Sequence, residues 1–135
     1  IKTVLDRFVS DLTAERKVKG RPLGYAAGWI PAEPVRQTVF GSIALVGDAA
    51  GHTHPITGAG IFAAVLGGNM AGKWAARAVR DNDTAILAKY DDEWQDLMAD
   101  TLGRAYERRQ YMESRWDDFE KTVRRCWVAF REYYA

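Results

Sequence analysis

The sequence predicts a predominantly helical α/β fold, with one or two short strands followed by a Gly/Ala-rich helix and long amphipathic C-terminal helices. Three patterns indicate this. Apolar residues recur at three- and four-residue spacing near both ends of the chain, as in amphipathic helices. The segment Ser42–Val46 is short, apolar and rich in branched side chains, which favours a strand. The segment Gly58–Arg80 is dense in glycine and alanine and is predicted to be one helix.

The first forty residues are expected to hold a helix and a strand. The helix is predicted over Ile1–Ala14, where the apolar residues follow a helical period. The strand is predicted over Leu23–Ile30, a run of small and aromatic residues without a helical period. Pro31 follows this stretch directly and would end the strand there.

The middle of the chain is predicted to contain a buried strand and a buried helix. Ser42–Val46 does not alternate between apolar and polar residues, so both of its faces are expected to be covered. The small residues of Gly58–Arg80 allow another backbone to approach closely, so this helix is expected to lie against a sheet or a cofactor. A turn at 81–83 follows, and Asp83 or Thr84 can cap the next helix.

Two apolar stripes mark the C-terminal region as helical. The first comprises Leu87, Tyr90, Trp94, Leu97, Met98, Leu102, Ala105 and Tyr106. The second comprises Trp116, Phe119, Val123, Trp127, Phe130 and Tyr134. Ser114 precedes Asp117 by three residues, which predicts a capping box at the start of the second helix.

Composition narrows the class of protein. The chain has 135 residues, 47% of them apolar and 27% charged, with a net charge of +1. This is typical of a single globular domain and argues against nucleic acid as the main partner, which normally requires a clear basic excess. No apolar run approaches the roughly 18 residues of a membrane span. The single Cys126 permits no internal disulfide, so a cytoplasmic location is expected, with peripheral membrane contact as an alternative.

The segment Ala44–Ile61, with the sequence ALVGDAAGHTHPITGAGI, carries the chemistry. Gly47 ends the predicted strand, and Asp48 lies at its carboxyl end, where open α/β sheets bind ligands. A carboxylate there can accept hydrogen bonds from sugar or ribityl hydroxyls. The helix predicted to begin near Gly58 presents backbone N–H groups that suit an anion or an electron-rich carbonyl. The combination predicts a site for a polyhydroxylated cofactor with a negative pole.

This segment resembles the second FAD-binding motif of the flavoprotein family that includes aromatic-ring hydroxylases and geranylgeranyl reductases. The stretch GWIP at Gly28–Pro31 and the phrase HPITGAGI resemble the geranylgeranyl reductase branch in particular. The resemblance implies that Asp48 holds the ribityl chain of FAD, and that the backbone from Gly58 to Ile61 faces the flavin C2 carbonyl and N1. The cofactor-binding residues that it implies are Gly47, Asp48, Pro55, Gly58, Ala59, Gly60 and Ile61.

The resemblance also implies that the chain is an α/β fragment. The family begins with a strand–GxGxxG–helix unit that holds the ADP half of FAD, and no GxGxxG occurs here. Residues 1–41 would then end a substrate domain, residues 42–82 would be the C-terminal part of the FAD-binding domain, and residues 83–135 would form a helical region. The expected partners are the missing N-terminal half, a prenyl or other apolar substrate, and a second copy of the chain. Without that half the chain is expected to carry no flavin.

The function implied by the resemblance is FAD-dependent reduction of carbon–carbon double bonds in a prenyl substrate such as a geranylgeranyl chain. A flavin-dependent monooxygenase or halogenase on the same fold is the alternative within the enzymes. A non-catalytic helical interaction module, in which the Gly-Asp turn is coincidental, is the alternative from another class. The sequence assigns no catalytic residue.

Three further features have two interpretations each. His52 and His54 could serve as a proton donor or substrate contact, but hydrogen bonding to the loop backbone or exposure to solvent is favoured, because their spacing indicates no metal site. For Cys126, buried apolar packing is favoured over a reactive thiol whose pKa Arg124 and Arg125 lower. The aromatic and arginine-rich C-terminal helices could form an isoprenoid groove or a lipid-facing surface, although packing on the parent domain with a solvated charged face is favoured.

Overall fold

The computed structural model describes residues 2–134 as a helical chain with one small hairpin, which confirms the predicted fold class. The helices are α1 (Lys2–Ala14), α2 (Ile61–Asp81), α3 (Ala88–Ser114) and α4 (Phe119–Cys126). The strands are β1 (Val39–Phe40) and β2 (Ile43–Ala44). Short 3-10 turns occupy Gly47–Ala50, Thr84–Leu87, Trp116–Asp118 and Arg131–Tyr134. Among residues 2–134, no helix combines the length and apolar character needed to span a bilayer.

Helix α1 forms where its period predicts, although Ile1 lies outside the described residues. It has no buried residue, and the side chains of Val4 and Phe8 are 73% and 57% exposed. An ion pair one turn apart, between Lys2 Nζ and Asp6 Oδ2 at 2.6 Å, lies on its surface. The apolar stripe of α1 is therefore open to contact with another surface.

The strand predicted over Leu23–Ile30 is absent, and that prediction is wrong. This stretch has no regular secondary structure, and the side chains of Leu23 and Trp29 are fully exposed. A strand needs a hydrogen-bonded neighbour, and none of the residues in 2–134 pairs with this stretch. Local composition alone could not reveal that the neighbour is missing.

The buried strand predicted over Ser42–Val46 is a short hairpin arm instead. Strand β2 pairs antiparallel with β1, with Val39 opposite Ala44 and Phe40 opposite Ile43. The turn uses a left-handed glycine, Gly41, at φ +60°. The side chain of Ile43 is 61% exposed, so the hairpin is covered on one face only and the prediction of burial on both faces is wrong.

Helix α2 begins at Ile61, three residues after the predicted start. Gly58 has φ +70° and Gly60 has φ −135°, so neither residue has helical backbone geometry. The helix ends at Asp81, followed by the left-handed Asn82 at φ 49°. Asp83 then caps the next turn, because its Oδ1 accepts the Ala85 N–H at 2.9 Å, as one of the two cap predictions states.

The core lies between α2 and α3. It consists of Ala63, Met70 and Ala71 from α2 and of Tyr90, Trp94 and Leu102 from α3. Alanine and glycine on α2 let the aromatic rings of α3 approach the helix backbone. The first predicted apolar stripe is confirmed in part, because Tyr90, Trp94, Leu102 and Ala105 are buried on α3, whereas Leu97 is 52% exposed.

The C-terminal region departs from its prediction. Helix α3 runs unbroken to Ser114, whose hydroxyl donates to the Tyr111 carbonyl at 2.9 Å, so the predicted Ser114 cap is wrong. Helix α4 covers only part of the second stripe and ends at Cys126, since Trp127 adopts extended backbone geometry at φ −90° and ψ 129°. The Thr122 hydroxyl donates to the Arg115 carbonyl at 3.0 Å and ties α4 back to the end of α3.

Candidate functional site

A tight turn follows the hairpin and presents Asp48. Gly47 adopts φ +65°, and the N–H of His52 donates to the Gly47 carbonyl at 3.0 Å. Gly51 at φ +64° closes the turn, where a Cβ would lie 2.9 Å from the Glu33 carbonyl oxygen. Glycine is therefore required at Gly51 by both conformation and space, and the turn has little freedom to change shape.

The carboxylate of Asp48 is exposed but oriented. Its Oδ1 accepts a hydrogen bond from the Thr53 hydroxyl at 3.0 Å. Thr53 is itself buried, with 2% of its side chain exposed, so it holds the carboxylate from beneath. An ionised carboxylate can accept several hydrogen bonds, and Asp48 retains acceptor capacity toward solvent or a ligand.

His52 lies fully buried under this turn. Its Nδ1 accepts the N–H of Gly47 at 3.3 Å, so in the neutral ring the proton lies on Nε2. That Nε2 faces the hydroxyl of Tyr90 at 3.4 Å, and the hydroxyl donates to the Leu45 carbonyl at 2.8 Å. Burial raises the pKa of Tyr90, which keeps the phenol protonated for that bond. The favoured sequence interpretation, that His52 bonds the loop backbone, is confirmed.

The imidazole of His52 is held between two helices. On one side it stacks on Trp94 of α3, with ring centroids 3.5 Å apart and planes at 19°. On the other side lies Gly67 of α2, where a Cβ would lie 2.6 Å from Nδ1 and Cε1 of the ring. The glycine is needed because the imidazole occupies the space a side chain would take, and His52 thereby links the Asp48 turn to the core.

We expect the free energy of unfolding to decrease as the pH falls, because His52 is buried as a neutral ring. Burial lowers the pKa of His52 to about 4 from its ordinary 6.5, so the folded chain keeps the ring neutral while the unfolded chain takes up a proton below 6.5. The free energy of unfolding should therefore fall by about 1.4 kcal/mol per pH unit between 6.5 and 4 from this group. The free energy of unfolding can be measured by denaturant titration at several pH values in that range. It should depend less steeply on pH in His52→Asn than in the unsubstituted chain. An unchanged slope would mean that His52 is not buried as a neutral ring.

The loop after His52 is held in place by polar contacts with side chains from the C-terminal half of the chain. His54 Nδ1 accepts the N–H of Thr57 at 3.3 Å, and its Nε2 lies 3.4 Å from the Tyr133 hydroxyl. Burial lowers the pKa of His54 as well. Arg109 of α3 donates from Nη1 to the carbonyl of the buried Pro55 at 2.7 Å. Neither histidine approaches a metal cluster: no three His, Cys, Asp or Glu side chains within residues 2–134 are arranged to hold an ion.

The loop closes onto the start of α2 through glycines. Gly58 donates to the His54 carbonyl at 2.9 Å, and His54 donates to the Ala59 carbonyl at 2.9 Å. At Gly60 a Cβ would lie 3.2 Å from the Thr53 hydroxyl and 3.6 Å from Asp48 Oδ1. The helix start and the carboxylate of Asp48 are therefore immediate neighbours, as the predicted site requires.

The first turn of α2 has free donors. Within residues 2–134 the N–H groups of Ile61, Phe62 and Ala63 have no hydrogen-bond acceptor. The side chains of Ile61 and Phe62 are 86% and 75% exposed, so this end of the helix is open. Unpaired N–H groups at a helix start carry partial positive charge and favour an anion or a carbonyl oxygen.

An apolar cavity of about 310 Å³ adjoins this helix start. Its walls come from the loop, from α2 and from α3: His54, Ala59, Gly60, Ile61, Phe62, Ala63, Met98, Thr101 and Leu102. The cavity provides apolar contact beside the polar groups of the Asp48 turn.

The structure places the seven predicted site residues on one continuous loop and helix start, between Gly47 and Ile61. Asp48, Gly60 and Ile61 are open to a ligand, whereas Pro55 is buried and supports the loop. Sequence reasoning missed the supports that come from distant positions: Tyr90, Trp94, Arg109 and Tyr133. The apolar stripe of the third helix did predict that Trp94 is buried, but it could not predict that Trp94 stacks on His52.

Cys126 is fully buried, and burial raises its pKa, although Arg108 and Arg125 act in the opposite direction. A buried thiol with a raised pKa is a poor nucleophile. The favoured interpretation of Cys126 as a packing residue is confirmed.

The chain is similar to several curated proteins. It is 37% identical over 106 residues to digeranylgeranylglycerophospholipid reductase 1 of Methanopyrus kandleri, a match that covers 76% of this chain and 28% of that protein. It is 36% identical over 107 residues to digeranylgeranylglycerophospholipid reductase of Methanospirillum hungatei, covering 77% of this chain and 25% of that protein. It is 30% identical over 118 residues to the protein of the same name from Methanocaldococcus jannaschii, covering 84% and 30%.

The chain therefore spans about a quarter of the length of the curated relatives that it matches. No family model matches it. No solved structure matches it either.

Proposed function

This chain is a homologue of the digeranylgeranylglycerophospholipid reductases of the geranylgeranyl reductase family, and on that basis we propose that it is part of an FAD-dependent reductase. The relatives are named reductases, which supports the oxidoreductase class. The substrate would be a prenyl chain whose carbon–carbon double bonds are reduced. The chain would contribute one part of the flavin site, and the remainder of the enzyme would contribute the rest.

The observation that carries this proposal is the pairing of Asp48 with the start of α2. The carboxylate is exposed and oriented by Thr53, and it lies beside a helix end with unpaired N–H groups. These groups fit FAD, which has ribityl hydroxyls to donate and an electron-poor ring with carbonyl oxygens. A phosphate alone would not use an acceptor such as Asp48, because two anions repel each other.

The chain's own residues would bind and orient the cofactor. Asp48 would accept hydrogen bonds from ribityl hydroxyls, and the N–H groups at Ile61, Phe62 and Ala63 would stabilise negative charge at the carbonyl that faces them. His52 and Thr53 would keep the carboxylate and the turn in place. FAD, when bound, supplies the hydride. The lining of the cavity beside Phe62 is mostly apolar, which would suit the apolar chain of a prenyl substrate.

The first test of this proposal removes the carboxylate of Asp48. In a polypeptide that includes this chain and the remainder of the enzyme, Asp48→Ala should weaken FAD binding by about 1.5–3 kcal/mol, the scale of a hydrogen bond to a charged group. That corresponds to a roughly 10- to 150-fold rise in the dissociation constant. Flavin fluorescence quenching measures it directly.

The matched control is Asp100→Ala, which removes another carboxylate, on the exposed side of α3. It should leave FAD affinity unchanged. Equal affinities for the Asp48 variant and the unsubstituted protein would remove Asp48 from the site. Mass spectrometry of a geranylgeranyl substrate after flavin reduction would test the reaction itself, since each reduced double bond adds hydrogen.

We further propose that the exposed apolar residues of the chain contact the remainder of the enzyme. On α2 the side chains of Ile61, Val65 and Val79 are 86%, 61% and 82% exposed, and Ile43 of β2 is 61% exposed. Apolar surface of this kind marks an interaction site. The hairpin edge also offers unpaired backbone groups.

By itself, the chain is accordingly expected to dimerise through these surfaces and to carry no flavin, because the partners of FAD outside this chain are missing. Size-exclusion chromatography with light scattering gives the mass. Absorbance at about 450 nm, where oxidised flavins absorb, reports the cofactor. A monomer that purifies yellow would contradict both expectations.

A further inference from the structure

The loop of residues 54–60, here called the entry loop, leads into the open start of α2. His54 holds this loop through its own backbone. Its N–H donates to the Ala59 carbonyl and its carbonyl accepts the Gly58 N–H, both at 2.9 Å. Gly58 has φ +70°, so the loop turns sharply at that point. The position of the first N–H groups of α2 therefore depends on how His54 is held.

The ring of His54 holds the same loop a second time. Its Nδ1 accepts the N–H groups of Ile56 and Thr57 at 3.4 Å and 3.3 Å. Burial lowers the pKa of His54, so the ring is neutral at neutral pH and carries a single proton. Because Nδ1 is the acceptor, that proton lies on Nε2. The ring therefore has one donor, Nε2–H, for a contact outside the loop.

The acceptor that faces Nε2 is the hydroxyl of Tyr133, at 3.4 Å and 79 residues away in sequence. Tyr133 is buried, and burial raises the pKa of its phenol, so the oxygen is that of an uncharged hydroxyl. The Tyr133 carbonyl accepts a hydrogen bond from Arg108 Nη2 at 3.4 Å, and the Tyr133 N–H donates to the Phe130 carbonyl at 3.1 Å. Tyr133 is thus held by α3 and by the segment after α4, independently of the entry loop.

A second contact reaches the entry loop from α3. Arg109 Nη1 donates to the Pro55 carbonyl at 2.7 Å, and Arg109 Nε pairs with Glu113 Oε1 at 2.7 Å. Glu113 lies one turn further along α3 and orients the guanidinium. Proline has no N–H, so this carbonyl is the only hydrogen-bonding group of Pro55. Neighbouring residues of the entry loop are therefore attached to two different elements of the C-terminal half.

We propose that Tyr133 and Arg109 are positioning residues, which set the conformation of the entry loop and thereby the position of the N–H groups at the start of α2. The entry loop forms neither helix nor strand. Its long-range hydrogen bonds replace the partners that regular secondary structure supplies. The consequence for FAD rests on the proposed function, whereas the consequence for the loop does not.

The first test removes the hydroxyl of Tyr133 and keeps the buried ring. In Tyr133→Phe, peptides that cover the entry loop should exchange hydrogen about fivefold faster, the factor that one ordinary hydrogen bond contributes. Mass spectrometry measures this without FAD, in a polypeptide that includes this chain and the remainder of the enzyme. Tyr134→Phe is the matched control, because the Tyr134 hydroxyl donates to the Val128 carbonyl at 3.2 Å. Equal exchange of the loop in the two variants would overturn the proposal.

The ring proton of His54 gives a signature that a packing role of Tyr133 would not change. In the same polypeptide labelled with 15N-histidine, the Nε2–H proton of His54 should exchange with water faster in Tyr133→Phe than in Tyr134→Phe. His54→Gln assigns the signal. An unchanged rate in Tyr133→Phe would show that the hydroxyl does not hold the ring.

The contact of Arg109 is tested by two replacements. Arg109→Met removes the donor to Pro55 and should accelerate exchange of the entry loop about fivefold or more, because the lost bond is charge-assisted. Arg109→Lys keeps a charged donor and should accelerate it less. Equal exchange in Arg109→Met and the unsubstituted protein would remove Arg109 from the proposal.

FAD binding separates this inference from the proposed function. Tyr133→Phe should raise the FAD dissociation constant about two- to tenfold, the range of one hydrogen bond, as measured by flavin fluorescence quenching. Faster exchange of the loop with unchanged FAD affinity would support the positioning of the loop and contradict its place in the flavin site. Weaker FAD binding with unchanged exchange of the loop would contradict the positioning role instead.

Discussion

Replacing Gly67 with valine is expected to destabilise the chain by about 3 kcal/mol, the upper end of the usual cost of overpacking a core. Already the first added carbon would lie 2.6 Å from Nδ1 and Cε1 of His52, well inside van der Waals contact. The imidazole cannot yield, because Trp94 stacks on its opposite face at 3.5 Å. The loss would be a large fraction of the stability of a domain of this size.

The displacement of His52 should also release the turn above it. The Gly47 N–H would lose its acceptor on His52, and Tyr90 would lose the ring nitrogen that faces its hydroxyl. A buried donor without an acceptor costs about 1–3 kcal/mol. We therefore expect Gly67→Val to lower the thermal midpoint and to increase hydrogen exchange at Gly47 more than elsewhere on the chain.

The same helix offers the control. Gly72 also lies within α2, but a Cβ there would meet no atom within 4 Å. Gly72→Val should change the free energy of unfolding by no more than about 0.5 kcal/mol, since both residues are moderate to poor helix formers. Chemical denaturation of the two variants under identical conditions decides the matter. Similar midpoints would show that His52 is not packed against Gly67.

The sequence predicted those parts of the fold that depend on interactions between residues close together in the chain. Helix α1, helix α2 and the buried face of α3 follow from patterns within one segment, and they were predicted correctly. The cap at Asp83 was predicted for the same reason, because its acceptor and donor are two residues apart. The expected strand at Leu23–Ile30 failed, because a strand is defined by a partner that no local pattern specifies.

The C-terminal region failed for a related reason. The apolar period continues beyond Cys126, but the chain leaves the helix at Trp127 and returns toward α3. Tyr133 is buried there, with its hydroxyl 3.4 Å from His54 Nε2, 79 residues away in sequence. Hydrophobic periodicity within one segment carries no information about contacts between residues so far apart in sequence.

In the candidate site, the sequence indicated the groups proposed to face the ligand but did not indicate the side chains that support them. Asp48 and the Gly-x-Gly start of α2 lie within one short motif whose spacing is informative. The side chains that hold the motif, Trp94 and Arg109, come from α3 and follow no spacing relative to it. In the structure α2 starts at Ile61 and not at Gly58, and the N–H groups of Ile61, Phe62 and Ala63 have no acceptor within the described residues 2–134.

On the proposed function, replacing Gly60 with valine should strongly weaken FAD binding by a polypeptide that includes this chain and the remainder of the enzyme. The sequence motif indicated Gly60 because backbone there would have to approach the flavin ring. The structure adds a second reason: a Cβ at Gly60 would lie 3.2 Å from the Thr53 hydroxyl, 3.4 Å from the His52 carbonyl oxygen and 3.6 Å from Asp48 Oδ1. The branched side chain of valine would push Thr53 away from Asp48 and reorient the carboxylate.

The expected result is a folded protein with little bound FAD and a dissociation constant raised at least about tenfold, as the loss of one charged hydrogen bond requires. Gly60→Ala should lie between valine and glycine, because a single carbon at 3.2 Å needs a shift of only a few tenths of an ångström. Gly103→Val is the control, since Gly103 lies in α3 with no atom within 4 Å of a Cβ. Absorbance at about 450 nm per mole of protein, with circular dichroism to establish folding, measures the effect. A Gly60→Val protein that retains its full flavin content would show that neither the crowding of Asp48 nor the approach of the flavin ring limits this position.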